Sequence, residues 1–167
     1  DTATTDGIAI TNLAQTRKFL NQTVLDQWGV RVSPLTKSII VPGYGIDGHL
    51  NQLYRYIKTS DGMRLLPTPT LGHQIHGMNN YRKKEPVVYI CEGPWDGMAL
   101  YEIFAATGNT ANVLAVPGCN VFPDAWASLF SGKRVVLLYD SDHPKKNPRT
   151  GTMIEPAGFA GAKRVAM

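Results

Sequence analysis

The sequence predicts an α/β protein built on a parallel β-sheet that is covered by helices. Residues 87–91 and 135–139 are continuous apolar runs without polar alternation, which is typical of strands buried on both faces. Between them the pattern predicts an apolar helix over 96–107, a further strand over 112–118 and a short helix over 124–130. Each of the two apolar runs ends abruptly in carboxylates, and these acids are the main clue to function.

Ligands of open α/β sheets bind beyond the carboxyl ends of the strands, so four acids are expected on one rim: Glu92, Asp96, Asp140 and Asp142. Crowded carboxylates repel unless a cation joins them, and oxygen-only clusters suit Mg²⁺ or Mn²⁺. The alternative is that the acids only terminate strands, since Asp and Gly are common there. Two acidic strand ends in register, one an Asp-x-Asp, favour the metal site. Asp96 is the least certain ligand, because a helix dipole alone favours an acid in the first turn.

The first part of the chain predicts a small mixed α+β unit. Residues 1–10 show no periodicity and are expected to be a tail or linker. Apolar residues at helical spacing over 13–28 predict two short helical stretches, with Gly29 ending the second. Residues 37–42 and 53–58 are predicted to be strands on either side of an Asp-Gly turn.

Residues 43–48 also match the G-x-G-x-x-G pattern of dinucleotide-binding proteins. That fingerprint requires a helix directly after it. The next residues are instead rich in Tyr, Ile and Leu and are bounded by a second Asp-Gly turn at 61–62. A β-hairpin is therefore the favoured interpretation.

Composition is that of an ordinary globular protein, with 43% hydrophobic and 18% charged residues among 167. The net charge of +4 permits a polyanionic partner without requiring one. No apolar run approaches the roughly 20 residues that span a bilayer, and no signal peptide is evident. A cytoplasmic protein without membrane association is therefore expected. Cys91 and Cys119 lie in apolar, strand-like segments, which favours buried thiols over a disulfide or zinc site.

The acidic pattern resembles the Toprim domain of DNA primases and topoisomerases. Glu92-Gly93 with Asp96, followed by Asp140 and Asp142, matches it, and the Glu-Gly-x-x-Asp form is most similar to the primase version. The resemblance implies a Toprim (Rossmann-like) parallel sheet with flanking helices, preceded by a small mixed α+β subdomain. The basic, Pro-ended hinge over 81–86 sets the expected boundary, with the basic subdomain over 1–80 and the Toprim catalytic domain over 81–167. The chain begins without Met and ends within a predicted helix, so a fragment truncated at its C-terminus is expected.

The first eighty residues are similar to the segment ahead of Toprim in bacterial and phage primases. The shared features are an Ile-Ile-x-Pro strand at 39–42, an Asp-Gly turn at 47–48, Arg55, a Pro-Thr-Pro stretch after Arg64, and His76-Gly77. In that family this subdomain is basic and holds template or incoming nucleotide. The resemblance therefore implies nucleic-acid or nucleotide binding by Arg55 and Arg64.

An insertion distinguishes this chain from the family. The family passes quickly from Asp-x-Asp into a Gly/Ala-rich helix, whereas here residues 143–152 intervene and carry Lys145, Lys146 and Arg149. A basic loop beside the acids is predicted to bind phosphates of nucleic acid or of a triphosphate. Solvated loop charge is the alternative.

The resemblance implies the catalytic core of a DNA primase, which makes RNA primers on single-stranded DNA from ribonucleoside triphosphates during phage, plasmid or host replication. Glu92, Asp140 and Asp142 would bind Mg²⁺ or Mn²⁺, and Glu92 would also move a proton; Asp96 completes the catalytic set. A replicative helicase, fused or separate, is an expected partner. A Toprim-type nuclease and a non-catalytic nucleic-acid-binding module are the alternatives.

Overall fold

The computed structural model describes residues 20–60, 62–122 and 124–166. The predicted tail over 1–10 and the start of the helical segment over 13–28 lie outside these residues. The strands are β1 (Arg31–Val32), β2 (Ile39–Tyr44), β3 (Leu50–Thr59), β4 (Gly62–Pro67), β5 (Val87–Cys91), β6 (Asn112–Ala115), β7 (Arg134–Leu138), β8 (Lys145–Lys146) and β9 (Met153–Ile154). The helices are α1 (Gln22–Gln27), α2 (Pro94–Thr107) and α3 (Ala157–Ala166), with 3₁₀ turns at Met78–Asn80 and Asp124–Phe130.

Strands β1 to β4 form an antiparallel sheet in sequence order. Asn21 caps α1 by accepting the Val24 N–H at 2.9 Å, and Gly29 follows the helix with a φ of +74°, as predicted. The tight β2–β3 connection confirms a hairpin where the dinucleotide fingerprint would need a helix. Asp47 stabilises this turn by accepting the His49 N–H at 3.0 Å.

Strands β6, β5 and β7 form a parallel sheet in that spatial order, which confirms the predicted fold class. Helix α2 connects β5 to β6, as expected for parallel neighbours. It begins with a proline in its first turn and ends at Gly108, whose φ of +71° suits a glycine. The carboxyl ends of β5 and β7 are therefore adjacent.

The two sheets share one core and are joined by main-chain hydrogen bonds. Tyr44 N–H donates to Ile75 at 2.8 Å, and His76 exchanges hydrogen bonds with Ala115 of β6 at 2.9 and 3.1 Å. Trp28 is 1% exposed and belongs to a buried cluster that includes Met98 of α2 and residues of both sheets: Val41, Tyr54, Cys91, Val113 and Ala115. The predicted boundary after residue 80 thus separates two segments that pack together, and the division into domains stays a prediction.

The insertion over 143–152 is more regular than the predicted loop. β8 and β9 pair antiparallel, with Lys145 opposite Ile154 and Lys146 opposite Met153, so the segment is a short β-hairpin. It leads into α3, the Gly/Ala-rich helix predicted after the Asp-x-Asp. In the part of the chain that the structure describes, no helix is both long and apolar enough to cross a bilayer.

Candidate active site

The carboxyl end of the parallel sheet brings Glu92 and Asp140 into direct contact. Glu92 extends the β5–β7 ladder by one residue, because its N–H donates to Leu138 at 3.2 Å. Its carboxylate Oε2 then accepts the Asp140 N–H at 3.0 Å. Glu92 is half-buried and Asp140 is exposed. The two strand ends are thus locked together by the side chain of the first acid.

Asp96 and Asp142 follow Glu92 and Asp140 closely in the chain, but they do not complete a metal-binding cluster with them. Asp96 is exposed in the first turn of α2, and its carboxylate folds back to within 3.2 Å of where a Cβ on Gly93 would sit. Asp142 is exposed after β7. Among the described residues, no three His, Cys, Asp or Glu side chains form a group that could hold a metal. We call the four acids, Glu92, Asp96, Asp140 and Asp142, the acid edge.

Helix α3 packs onto the acid edge through glycines. A Cβ on Gly158 would clash with the Asp140 carbonyl oxygen and lie 2.8 Å from Glu92 Oε2. A Cβ on Gly161 would clash with the carbonyl oxygen of Cys119, in the loop after β6. The helix can therefore approach the strand ends only because both positions lack a side chain.

Three residues near Glu92 were not predicted as part of the site: Cys119, Tyr139 and Arg164. Arg164 of α3 donates to the Cys119 carbonyl oxygen at 2.8 Å. Burial, the Glu92 charge and a hydrogen bond to Glu92 raise the pKa of the Cys119 thiol. Burial raises the pKa of Tyr139 to about 12, and the negative charge of Glu92 is the second cause. Cys119 is partly buried and lies outside the strand that the sequence predicted for it. The one available signal was the glycine spacing in α3.

Arg55 and Arg64 lie on the exposed face of the antiparallel sheet. Arg55 of β3 pairs directly with Leu66 of β4, and directly paired residues lie on the same face of a sheet. Arg64 is two residues from Leu66 on β4 and therefore lies on that face as well. Both arginines are exposed. The opposite face carries Tyr54, which is completely buried. Tyr54 is therefore a core residue of the sheet.

Lys145, Lys146 and Arg149 are all exposed on the β8–β9 hairpin. Lys145 and Lys146 form β8, and Arg149 lies in the connection to β9. In the described chain, no hydrogen bond or ion pair of these three side chains is present. The hairpin begins shortly after Asp142, so its cations lie next to the acid edge in the chain.

Solved structures with the same fold are primase catalytic cores. The DnaG catalytic core matches with a TM-score of 0.64 at 15% identity, over 94% of this chain and 58% of that one. The primase fragment of the bacteriophage T7 primase-helicase protein matches with a TM-score of 0.62 at 12% identity, over 90% of this chain and 57% of that one. The chain has the fold of a primase catalytic core.

A third match comes from bacteriophage T7 lagging-strand DNA polymerase interacting with primase domains of two gp4 subunits bound to an RNA/DNA hybrid and dTTP. Its TM-score is 0.51 at 10% identity, over 74% of this chain and 56% of that one. The chain therefore spans less than two thirds of the length of these three structures. No protein-family model and no curated protein sequence matches it.

The donors at the acid edge of this primase-core fold suit Mg²⁺ or Mn²⁺. All four are carboxylates, and Asp140 and Asp142 are exposed to an incoming ligand. Mg²⁺ keeps several waters and is usually held by one or two carboxylates plus substrate phosphates, so it needs no cage of three protein ligands. The pair of Glu92 and Asp140, with Asp142 close in sequence, fits such an ion.

Proposed function

We propose that this chain is the catalytic core of a cytoplasmic DNA primase, which joins ribonucleotides into short RNA primers on single-stranded DNA. The observation that carries the proposal is the contact between Glu92 and Asp140. It lies at the carboxyl edge of a parallel sheet in a fold shared with primase catalytic cores. That edge is where ligands of open α/β sheets bind.

Nucleotidyl transfer is the chemistry that these residues suit. Mg²⁺ or Mn²⁺ held by Glu92, Asp140 and Asp142 would stabilise charge on the attacking 3′-hydroxyl and the leaving pyrophosphate. Glu92 accepts a hydrogen bond from the Asp140 N–H, and this bond would orient it as the group that accepts a proton from the 3′-hydroxyl. Asp96 adds a further negative charge to the acid edge.

Cations outside the acid edge supply the nucleic-acid contacts of this proposal. Arg55 and Arg64 would bind template or nucleotide phosphates, and the hairpin cations Lys145, Lys146 and Arg149 would bind phosphates next to the acids. The T7 structure with an RNA/DNA hybrid supports a nucleic-acid partner, and the fragment of the T7 primase-helicase protein supports a replicative helicase. The proposal adds single-stranded DNA and ribonucleoside triphosphates as substrates.

Incubation of the protein with single-stranded DNA, labelled ribonucleotides and Mg²⁺ or Mn²⁺ separates the candidate functions. New labelled oligomers that require template support the primase. Degraded template without new oligomers would replace it with a Toprim-type nuclease. Template binding with neither product would replace it with a non-catalytic binding module.

A further inference from the structure

Both ends of the β8–β9 hairpin connect to segments of the acid edge. Its first strand follows shortly after Asp142, and its second leads through Glu155 into α3, whose Gly158 packs on Asp140 and Glu92. Both ends of the hairpin are therefore anchored beside the acids. The base of the hairpin is thus next to the acid edge.

The hairpin has a defined tip. Asn147 Oδ1 accepts the N–H of Arg149 at 2.9 Å and that of Thr150 at 3.3 Å. The Asn147 main chain bonds Gly151 at 2.9 Å and Thr152 at 2.8 Å. Gly151 has a φ of +72°, which a residue with a side chain rarely adopts. These bonds fix Arg149 at the end of a two-stranded ribbon.

The two lysines of the hairpin point in opposite directions. Neighbouring residues of a strand face opposite sides, so Lys145 shares one face with Ile154, and Lys146 shares the other with Met153. A triphosphate is compact, and cations that hold it must converge on one point. Divergent lysines therefore do not form a triphosphate site.

Each face of the ribbon also carries an uncovered apolar side chain. Met153 is 65% exposed and Ile154 is 48% exposed, although isolated hairpins need an apolar face to be covered if they are to be stable. A ligand that covers both faces would remove these side chains from water. Because Lys145 and Lys146 lie on these same two faces, a ligand with an anionic backbone on each side of the ribbon would contact both lysines.

We propose that the β8–β9 hairpin binds a nucleic-acid duplex by entering a groove, with Lys145 and Lys146 each contacting one of the two backbones. A groove is bounded by two rows of phosphates, and the minor groove of an A-form helix is wide and shallow, so the tip of a short ribbon can lie in it with one backbone on each side. The ligand is the RNA–DNA duplex formed at the acid edge, so the inference rests on the proposed function. It assigns the hairpin to the product duplex and excludes the free triphosphate.

Equilibrium binding tests this inference without any catalysis. A labelled RNA–DNA hybrid and a labelled single strand of the same length are titrated with wild type, Lys145→Ala, Lys146→Ala and Arg149→Ala, in the absence of nucleotides. Lys84→Ala is the matched control, because this exposed lysine precedes β5 at the opposite end of the parallel sheet. Each lysine variant should bind hybrid several-fold more weakly and lower its salt slope by about one. Binding to single strand should change less.

Three results would overturn the inference. Equal losses on hybrid and single strand would make the hairpin a general phosphate contact, and unchanged hybrid binding would leave its charges merely solvated. If the variants bind labelled ribonucleoside triphosphate more weakly but bind the hybrid as wild type does, the hairpin is a triphosphate site instead. The titration involves no synthesis. If the protein makes no primers but the lysine variants still lose hybrid binding selectively, only the proposed function is rejected. Thermal unfolding checks that these exposed substitutions leave the fold unchanged.

Discussion

The Asp140 main-chain N–H donates a hydrogen bond to Glu92 Oε2 across 3.0 Å, although the two residues are 48 positions apart in sequence. The bond joins the ends of neighbouring parallel strands. It also holds the Glu92 carboxylate at the edge where ligands of this sheet type bind. The contact thus orients one carboxylate of the acid edge, and the elements that maintain it can be tested separately.

Gly158→Ala should disturb the acid edge. The added Cβ would clash with the Asp140 carbonyl oxygen and crowd Glu92 Oε2, so α3 must move away. We expect a loss of about 1–3 kcal/mol in the free energy of unfolding, although alanine is favoured over glycine in helices by about 1 kcal/mol. Urea unfolding measures it. Gly72→Ala is the control, because a Cβ there meets no atom within 4 Å; equal stability of both variants would contradict close packing at Gly158.

Gly97→Ala should destabilise the shared core. A Cβ at this position of α2 would lie 2.7 Å from the Trp28 ring and 3.0 Å from Ala115 Cβ, and overpacking of this kind costs about 1–3 kcal/mol. A double-mutant cycle with Trp28→Phe identifies the cause, because the smaller ring vacates the contacted position. The cost of Gly97→Ala should be smaller in the Trp28→Phe background, and strict additivity would show that Trp28 is not the obstacle.

Stability should fall in mild acid because of His76. This side chain is 0% exposed, and burial lowers its pKa from 6.5 to about 4, only partly opposed by its hydrogen bond to the Pro42 carbonyl oxygen. Between these pH values the unfolded chain binds more protons than the folded one. His76 therefore stabilises fully above pH 6.5 and loses on the order of 3 kcal/mol as pH falls through about 4.

The histidine contribution is measured by urea unfolding at pH 7 and pH 5. His76→Asn retains an amide donor for the Pro42 carbonyl oxygen and cannot titrate, so its stability should depend less on pH than that of wild type. His49→Asn, which changes an exposed histidine, should behave like wild type. An unchanged pH dependence in His76→Asn would remove His76 as the cause.

Arg55→Ala and Arg64→Ala should weaken binding of single-stranded DNA. Both cations lie on the exposed face of the antiparallel sheet, and removal of one phosphate-binding cation should lower the salt slope by about one. Fluorescence anisotropy at several salt concentrations measures both the affinity and the slope. Arg134→Ala is the control, because Arg134 begins β7 at the end remote from the acids. If Arg134→Ala lowers the affinity and the salt slope by the same amounts, the effect of the arginines comes only from the net charge of the protein.

The parallel sheet was predictable from the unbroken apolar runs of β5 and β7. Burial on both faces was wrong for β7, whose residues are exposed or half-buried because β7 is the last strand of the described sheet, whereas the central strand β5 is largely buried. The adjacency of Glu92 and Asp140 was expected from the same rule, since carboxyl ends of parallel strands share an edge. The close approach of α3 through Gly158 was not predicted, because the glycine spacing does not show which surface the helix packs against. Cys119 was assigned to a strand for a similar reason: apolarity cannot distinguish the end of β6 from the loop after it.

The hairpin at 145–154 shows a different limit. Lys145 and Lys146 are polar, and the strands contain two residues each, so no alternating pattern can be recognised. Its regularity comes from the Asn147 hydrogen bonds and the left-handed Gly151. These turn interactions are local, but the composition of the segment does not specify which residues of the two strands pair.

Primer synthesis by Glu92→Gln is the most direct test of the acid edge. The substitution keeps an oxygen that can accept the Asp140 N–H and removes the negative charge, so the fold should persist while activity is lost. The control is Glu102→Gln in the second half of α2, whose carboxylate accepts hydrogen bonds from Asn21 rather than from a residue of the acid edge. We expect template-dependent labelled oligomers from wild type and Glu102→Gln, and a decrease of at least about 100-fold in Glu92→Gln. Wild-type yields from a folded Glu92→Gln protein would contradict a catalytic role for the acid edge.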